Sequence, residues 1–124
     1  MAKKLTIWII ILVLIGGGIY ALVRYSQAPG PLDGFATCVK DSGAQFYGAF
    51  WCPHCQTQKK SFGKSQKLLP YIECSTPDGR GQTNICKEKG IASYPTWTFA
   101  DGTTLNGEVP LTVLAEKTSC ALPQ

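Results

Sequence analysis

Cys52-Pro53-His54-Cys55 is the segment of this 124-residue chain whose residue types and spacing can do chemistry. Two thiols separated by two residues meet across one helical turn. They can close a disulfide, reopen it and exchange it with another thiol. Directly before them runs Gln45–Trp51 (QFYGAFW), aromatic and apolar, which reads as a buried strand. Pro53 suits the first turn of a following helix, where its missing N–H is not needed. A sulfur at a helix N-terminus faces unpaired N–H groups and a partial positive charge, and both favour thiolate at Cys52. Thiolate is the form that attacks disulfides, and a stabilised thiolate also leaves readily. His54, the only histidine, is placed to favour it further. Cys52 is therefore expected to be the attacked, more exposed sulfur. Cys55, one turn inward, is expected to be the resolving thiol. A c-type haem site needs histidine at position 56, and Gln56 stands there. Zinc could use four thiols, but eleven residues lie between Cys74 and Cys86 and no second close pair exists.

The remaining cysteines form two further groups. Cys74 and Cys86 bracket a turn-rich loop, Ser75–Gln82 (STPDGRGQ). An even cysteine count in an exported domain argues for bridges. Closing this loop would contribute about 3 kcal/mol in the chain-entropy model. The alternative is a second redox pair that relays electrons to Cys52 and Cys55. Cys38 and Cys120 are left over, and their pairing would staple the two ends of the domain. Otherwise they are buried free thiols, or one faces a partner. Tyr94-Pro95-Thr96 is the second informative point. A proline before a strand, downstream of C-P-H-C in this order, predicts a cis bond that offers the preceding backbone to an incoming chain.

These residues need elements to hold them. Asp33 starts a helix through Val39 and Lys40 that ends at Gly43. The Gln45–Trp51 strand follows, with Gly48 marking the close approach of another backbone. The helix opened by Pro53 is expected to run to about Leu68, with Cys55, Phe62 and Leu69 on one face. Pro70–Cys74 is a second strand. Thr83 is expected to cap a short helix, Asn84–Lys89, closed by Gly90. Thr96–Phe99 and Thr104–Asn106 pair around an Asp101-Gly102 turn. Pro110 starts a last helix that shares Leu111, Leu114 and Ala115 on one face. The order predicts an α/β sandwich, with helices covering a mixed four-stranded sheet.

Composition adds an anchor. Charged residues are 16% of the chain and the net charge is +4. Leu5–Val23 carries no charge, and as a helix it would span roughly 28 Å, close to a bilayer's hydrocarbon thickness. Lys3, Lys4 and Arg24 flank it, leaving residues 29–124 with nine Lys/Arg against eight Asp/Glu. Without a basic stripe, nucleic acid is excluded as a partner. The run is longer than a signal-peptide core, and Pro29 fits poorly after a cut at Ala28, so a retained anchor is expected rather than a cleaved leader. Gly17 and Ala21 form a small-xxx-small pair, a spacing common in such helices without a partner. The expected divisions are 1–24 anchor, 25–32 stiff linker and 33–124 folded domain. The two lysines before the helix place the amino terminus in the cytoplasm and the domain outside.

Phe35–Cys120 resembles the thioredoxin superfamily through FYGAFWCPHC (46–55), LPYIEC (69–74), Cys86 and GIASYPTW (90–97). It looks most like the thioredoxin-like domain that bacterial homologues of vitamin K epoxide reductase carry fused to their membrane bundle. C-P-H-C also resembles the site of periplasmic disulfide oxidases of the DsbA kind. The resemblance implies disulfide exchange with exported thiol proteins, without a cofactor or metal of its own. It puts the nucleophile on Cys52, the resolving thiol on Cys55, tuning on His54 and the cis-proline on Pro95, with Pro53 inside the active segment. It implies substrate contacts at Trp51, Tyr94 and Pro95, and a bridge between Cys74 and Cys86. Recycling would fall to a quinone-linked membrane oxidase such as a vitamin K epoxide reductase homologue. One helix cannot house that chemistry. Two departures stand out: Phe46 replaces the buried acid that thioredoxins carry six residues before the nucleophile, and the usual first strand is missing.

The leading expectation is an anchored oxidant that introduces disulfides outside the cytoplasm. A reductase or isomerase fed by a membrane protein is the second reading, and a non-catalytic binding module is the third.

Overall fold

A computed structural model describes residues 1–124. Its first element, α1 (Ala2–Gln27), is an apolar helix with mean hydropathy 2.5 over its best window and no buried residue. It is long and apolar enough to cross a membrane. The helix outlasts the uncharged run, so Tyr25, Ser26 and Gln27 of the expected linker are helical.

The folded body begins with α2 (Asp33–Asp41), whose Phe35, Ala36 and Val39 are buried at helical spacing. Strand β1 (Gln45–Gly48) follows, then α3 (Pro53–Ser61), a 3-10 helix (Gly63–Leu68) and β2 (Tyr71–Glu73). A short α4 (Asn84–Glu88), β3 (Thr96–Thr98), β4 (Thr104–Asn106) and α5 (Leu111–Thr118) complete the chain. The strand order is β2-β1-β3-β4. β1 pairs parallel with β2, as Phe46 opposite Tyr71, and antiparallel with β3, as Phe46 opposite Trp97. β4 pairs antiparallel with β3. The parallel pair needs a crossover, and α3 with the 3-10 helix supplies it. This is the mixed α/β sandwich that the element order implied, and it is thioredoxin-like, as the resemblance implied.

Strand alternation sends successive β1 side chains to opposite faces. Phe46 stacks on Trp97 with ring centroids 4.8 Å apart, in a core shared with Phe35, Phe62 and Leu114. Tyr47 points the other way, into a smaller cluster with Cys74, Cys86 and Ile91. The position of the missing buried acid is thus filled by a fully buried ring in the main core.

Three expected elements are corrected. The first strand stops at Gly48, not Trp51, because Cys52 N–H donates to the Ala49 carbonyl at 3.0 Å and closes a turn. The helix opened by Pro53 does not reach Leu68 as one α-helix. It ends at Ser61, and Gly63 adopts φ +54°, a left-handed conformation that glycine tolerates, before the 3-10 helix. Thr83 sits at the N-cap of α4 without capping it, since its hydroxyl donates to the Glu73 carbonyl at 3.3 Å.

Candidate active site

Cys52 is the N-cap of α3, and Pro53 is the first helical residue. The Cys55 N–H, one of the helix's unpaired donors, reaches Cys52 Sγ at 3.3 Å. A donor aimed at that sulfur stabilises negative charge on it. On its other side the Cys52 thiol reaches the Tyr94 carbonyl at 3.7 Å. The Tyr94–Pro95 peptide bond is cis, and Pro95 itself is buried. Cys52 and Cys55 are both free thiols, Cys52 5% exposed and Cys55 fully buried. Burial, and then the hydrogen bond with Cys52, pushes the Cys55 thiol up to about 12 from its ordinary 9.0.

The turn that delivers Cys52 is held from below. Glu73 Oε1 accepts from the N–H groups of Phe50 at 3.1 Å and Ser75 at 2.9 Å, and its Oε2 accepts from the Tyr71 hydroxyl at 2.8 Å. Gln56 Nε2 donates to the Phe50 carbonyl at 2.8 Å. Lys59, one turn after Cys55 on α3, holds its ammonium 3.4 Å from the Tyr71 ring centroid. Tyr71, Glu73 and Lys59 were not singled out from the sequence. Burial, and next the bond to Glu73, pushes the Tyr71 phenol up.

The aromatic side chains beside the pair belong to one wall. Trp51 is half-exposed and meets Tyr94 edge to face, with centroids 6.0 Å apart. The loop between Cys74 and Cys86 braces both rings. Ser75 Oγ accepts from Trp51 Nε1 at 2.9 Å, and Gln82 Nε2 donates to the Tyr94 hydroxyl at 2.9 Å. Cys74 is disulfide-bonded to Cys86, and Cys38 to Cys120.

His54 makes no hydrogen bond to Cys52, whose sulfur is bonded to the Cys55 N–H and the Tyr94 carbonyl. Its Nδ1 lies 2.7 Å from Glu108 Oε1, a residue that sequence reasoning passed over. Nothing local marks Glu108, because it lies fifty-four positions away. No three of the chain's His, Cys, Asp and Glu side chains converge on a metal-sized site.

A thioredoxin-like fold, with a free dithiol at the start of the helix that follows β1 and a cis-proline beside it, defines the class as a thioredoxin-like domain. No family model matches the chain. In an alignment 87 residues long that covers 66% of this chain, the chain is 46% identical to the thiol-disulfide oxidoreductase LTO1 of Arabidopsis thaliana. That stretch is 23% of the relative, so the chain spans about a quarter of the protein it matches.

Proposed function

We propose that this chain is a thiol-disulfide oxidoreductase acting through Cys52 and Cys55, and that it introduces disulfides into exported thiol proteins. The observation that carries the reading is the asymmetry of the two sulfurs. Cys52 caps α3 and accepts the Cys55 N–H, while Cys55 is sealed beneath it. The 46% identity to a protein named for this activity supports it.

In the reaction, Cys52 and Cys55 are disulfide-bonded at rest. A substrate thiolate attacks Cys52 Sγ, the S–S bond breaks, and its electron pair leaves on Cys55. A second substrate thiolate attacks the substrate sulfur of the mixed disulfide and expels Cys52. The substrate leaves oxidised, and the enzyme is left as the dithiol, the state in the present structure. The Tyr94 carbonyl beside the cis-proline, with the Trp51 and Tyr94 rings, forms the surface offered to the substrate chain. Residues 1–24 serve as anchor, 25–32 as linker and 33–124 as catalytic domain. The amino terminus is cytoplasmic and the domain extracytoplasmic. A quinone-linked membrane oxidase of the vitamin K epoxide reductase kind restores the disulfide.

Trapping on the full-length Cys55→Ala variant tests the reading, since Cys52 then cannot be released by its neighbour. Mixed disulfides with exported thiol proteins and with a membrane oxidase are expected. The potential against glutathione sets the direction. A value near about −270 mV, that of thioredoxin, would replace the oxidant with a reductase. An absence of any exchange would leave only a binding module.

A further inference from the structure

Glu108 lies in the loop between β4 and α5, and its contact with His54 is held from within the core. Gln58, one turn beyond His54 on the same face of α3, is 2% exposed. It clasps the backbone of the residue after Glu108 through both of its polar atoms. Val109 N–H donates to Gln58 Oε1 at 2.6 Å, and Gln58 Nε2 donates to the Val109 carbonyl at 3.1 Å. Glu108 is thereby pinned beside the first turn of α3. A carboxylate only accepts, so the imidazole nitrogen facing it carries the proton. The other nitrogen, Nε2, makes no hydrogen bond within the chain, and the His54 side chain is 72% exposed. Glu108 faces the ring from the β4–α5 loop, and Cys52 and Cys55 are the titratable groups of the same turn of α3. Tyr94, from the segment before β3, meets Cys52 through its carbonyl.

We propose that Glu108 is a positioning residue that fixes His54 as the Nδ1–H tautomer, leaving Nε2 as the base that receives the proton of an incoming thiol. The proposal rests on the redox reading above. In this step the substrate S–H gives its proton to Nε2 while its sulfur bonds to Cys52 Sγ. The Cys52–Cys55 bond breaks, and its electron pair goes to Cys55 Sγ. The substrate sulfur is oxidised to a mixed disulfide and Cys55 is reduced. Cys55 then takes a proton from water or from the imidazolium.

The test is the rate at which glutathione opens the Cys52–Cys55 disulfide of the full chain, followed on acid-quenched samples between about pH 6 and 9.5. Glu108→Ala is expected to slow the step about ten-fold near pH 6.5. The defect is expected to close by about pH 9.5, where a thiol with an ordinary value near 8.5 ionises without help. Glu108→Gln, whose amide oxygen still accepts from Nδ1–H, recovers most of the lost rate. His54→Ala loses as much as Glu108→Ala, and the double variant loses no more. An unchanged Glu108→Ala rate, a defect equal at every pH, or a double variant slower than His54→Ala overturns the proposal. A wild-type disulfide that glutathione does not open at any pH brings down the redox reading itself, and this proposal with it.

Discussion

Cys55 sits against Gly48 of β1, with the Tyr71 ring on the same side of that glycine and Lys59 over the ring. In the unfolded chain its thiol ionises near 9.0, whereas burial delays this in the folded dithiol to about 12. Between those values the native state holds a proton that the unfolded state has lost. The contribution to stability is therefore complete below about pH 9 and drains away as the pH rises toward 12. Urea titrations of the reduced protein across that window are expected to show a loss on the order of a few kcal/mol that Cys55→Ala lacks. Equal slopes for the two proteins would deny that burial governs this thiol. Of the residues gathered at the candidate site, Cys52, His54, Cys55, Tyr94 and Pro95 could be picked out in the sequence, because each lies within or beside a local motif. Glu108, Gln58, Glu73 and Lys59 were not. Their partners are fixed by the fold, and a glutamate fifty-four positions from a histidine carries no local signal.

At the scale of elements, the alternation of aromatic runs and polar helices was enough to yield the sheet and its layers. The ends of elements were harder to read. β1 looks seven residues long by composition, but Phe50 and Trp51 are half-exposed and lie outside the core, beyond the end of the strand at Gly48. The break in α3 depended on Gly63, one of 13 glycines in the chain. Gly48 was legible as a close approach, though what approaches is side chain rather than backbone. A Cβ there would lie 2.8 Å from Tyr71 Cε2 and 3.0 Å from Cys55 Sγ. Gly48→Ala must therefore drive the ring and the sulfur apart in a packed interior. A loss of about 1–3 kcal/mol in unfolding free energy is expected, read as a lower denaturant midpoint, together with a Cys55 that alkylates faster as its lid is lifted. A wild-type midpoint would mean that β1 and α3 are packed more loosely than these distances describe.

Across the whole molecule, the two disulfides divide the labour between holding the body together and holding its working face. Cys38–Cys120 joins α2 to the segment after α5 across 82 positions, closing nearly the whole folded body into one loop. Cys74–Cys86 closes a loop with a separation of 12, and that loop supplies Ser75 to Trp51 and Gln82 to Tyr94. Chain entropy weights them unequally, at about 4–5 kcal/mol for the long loop against about 3 kcal/mol for the short one. A body of this size has a small core, so either loss is felt. The consequences for activity run in the opposite order. Removing the long bridge with Cys38→Ala/Cys120→Ala leaves the contacts of Trp51 and Tyr94 in place, so the exchange rate of the folded fraction is expected to hold while the melting temperature falls. Removing the short one with Cys74→Ala/Cys86→Ala frees the loop that braces both rings. A smaller fall in melting temperature is expected there, with a several-fold loss of exchange toward a cysteine-containing peptide and little loss toward glutathione, which is too small to need the wall. Parallel melting curves and paired rates for the two double variants separate these effects. If the short-bridge variant loses both substrates alike, the loop acts on the dithiol rather than on the substrate surface, and the Trp51–Tyr94 wall has no part in recognition.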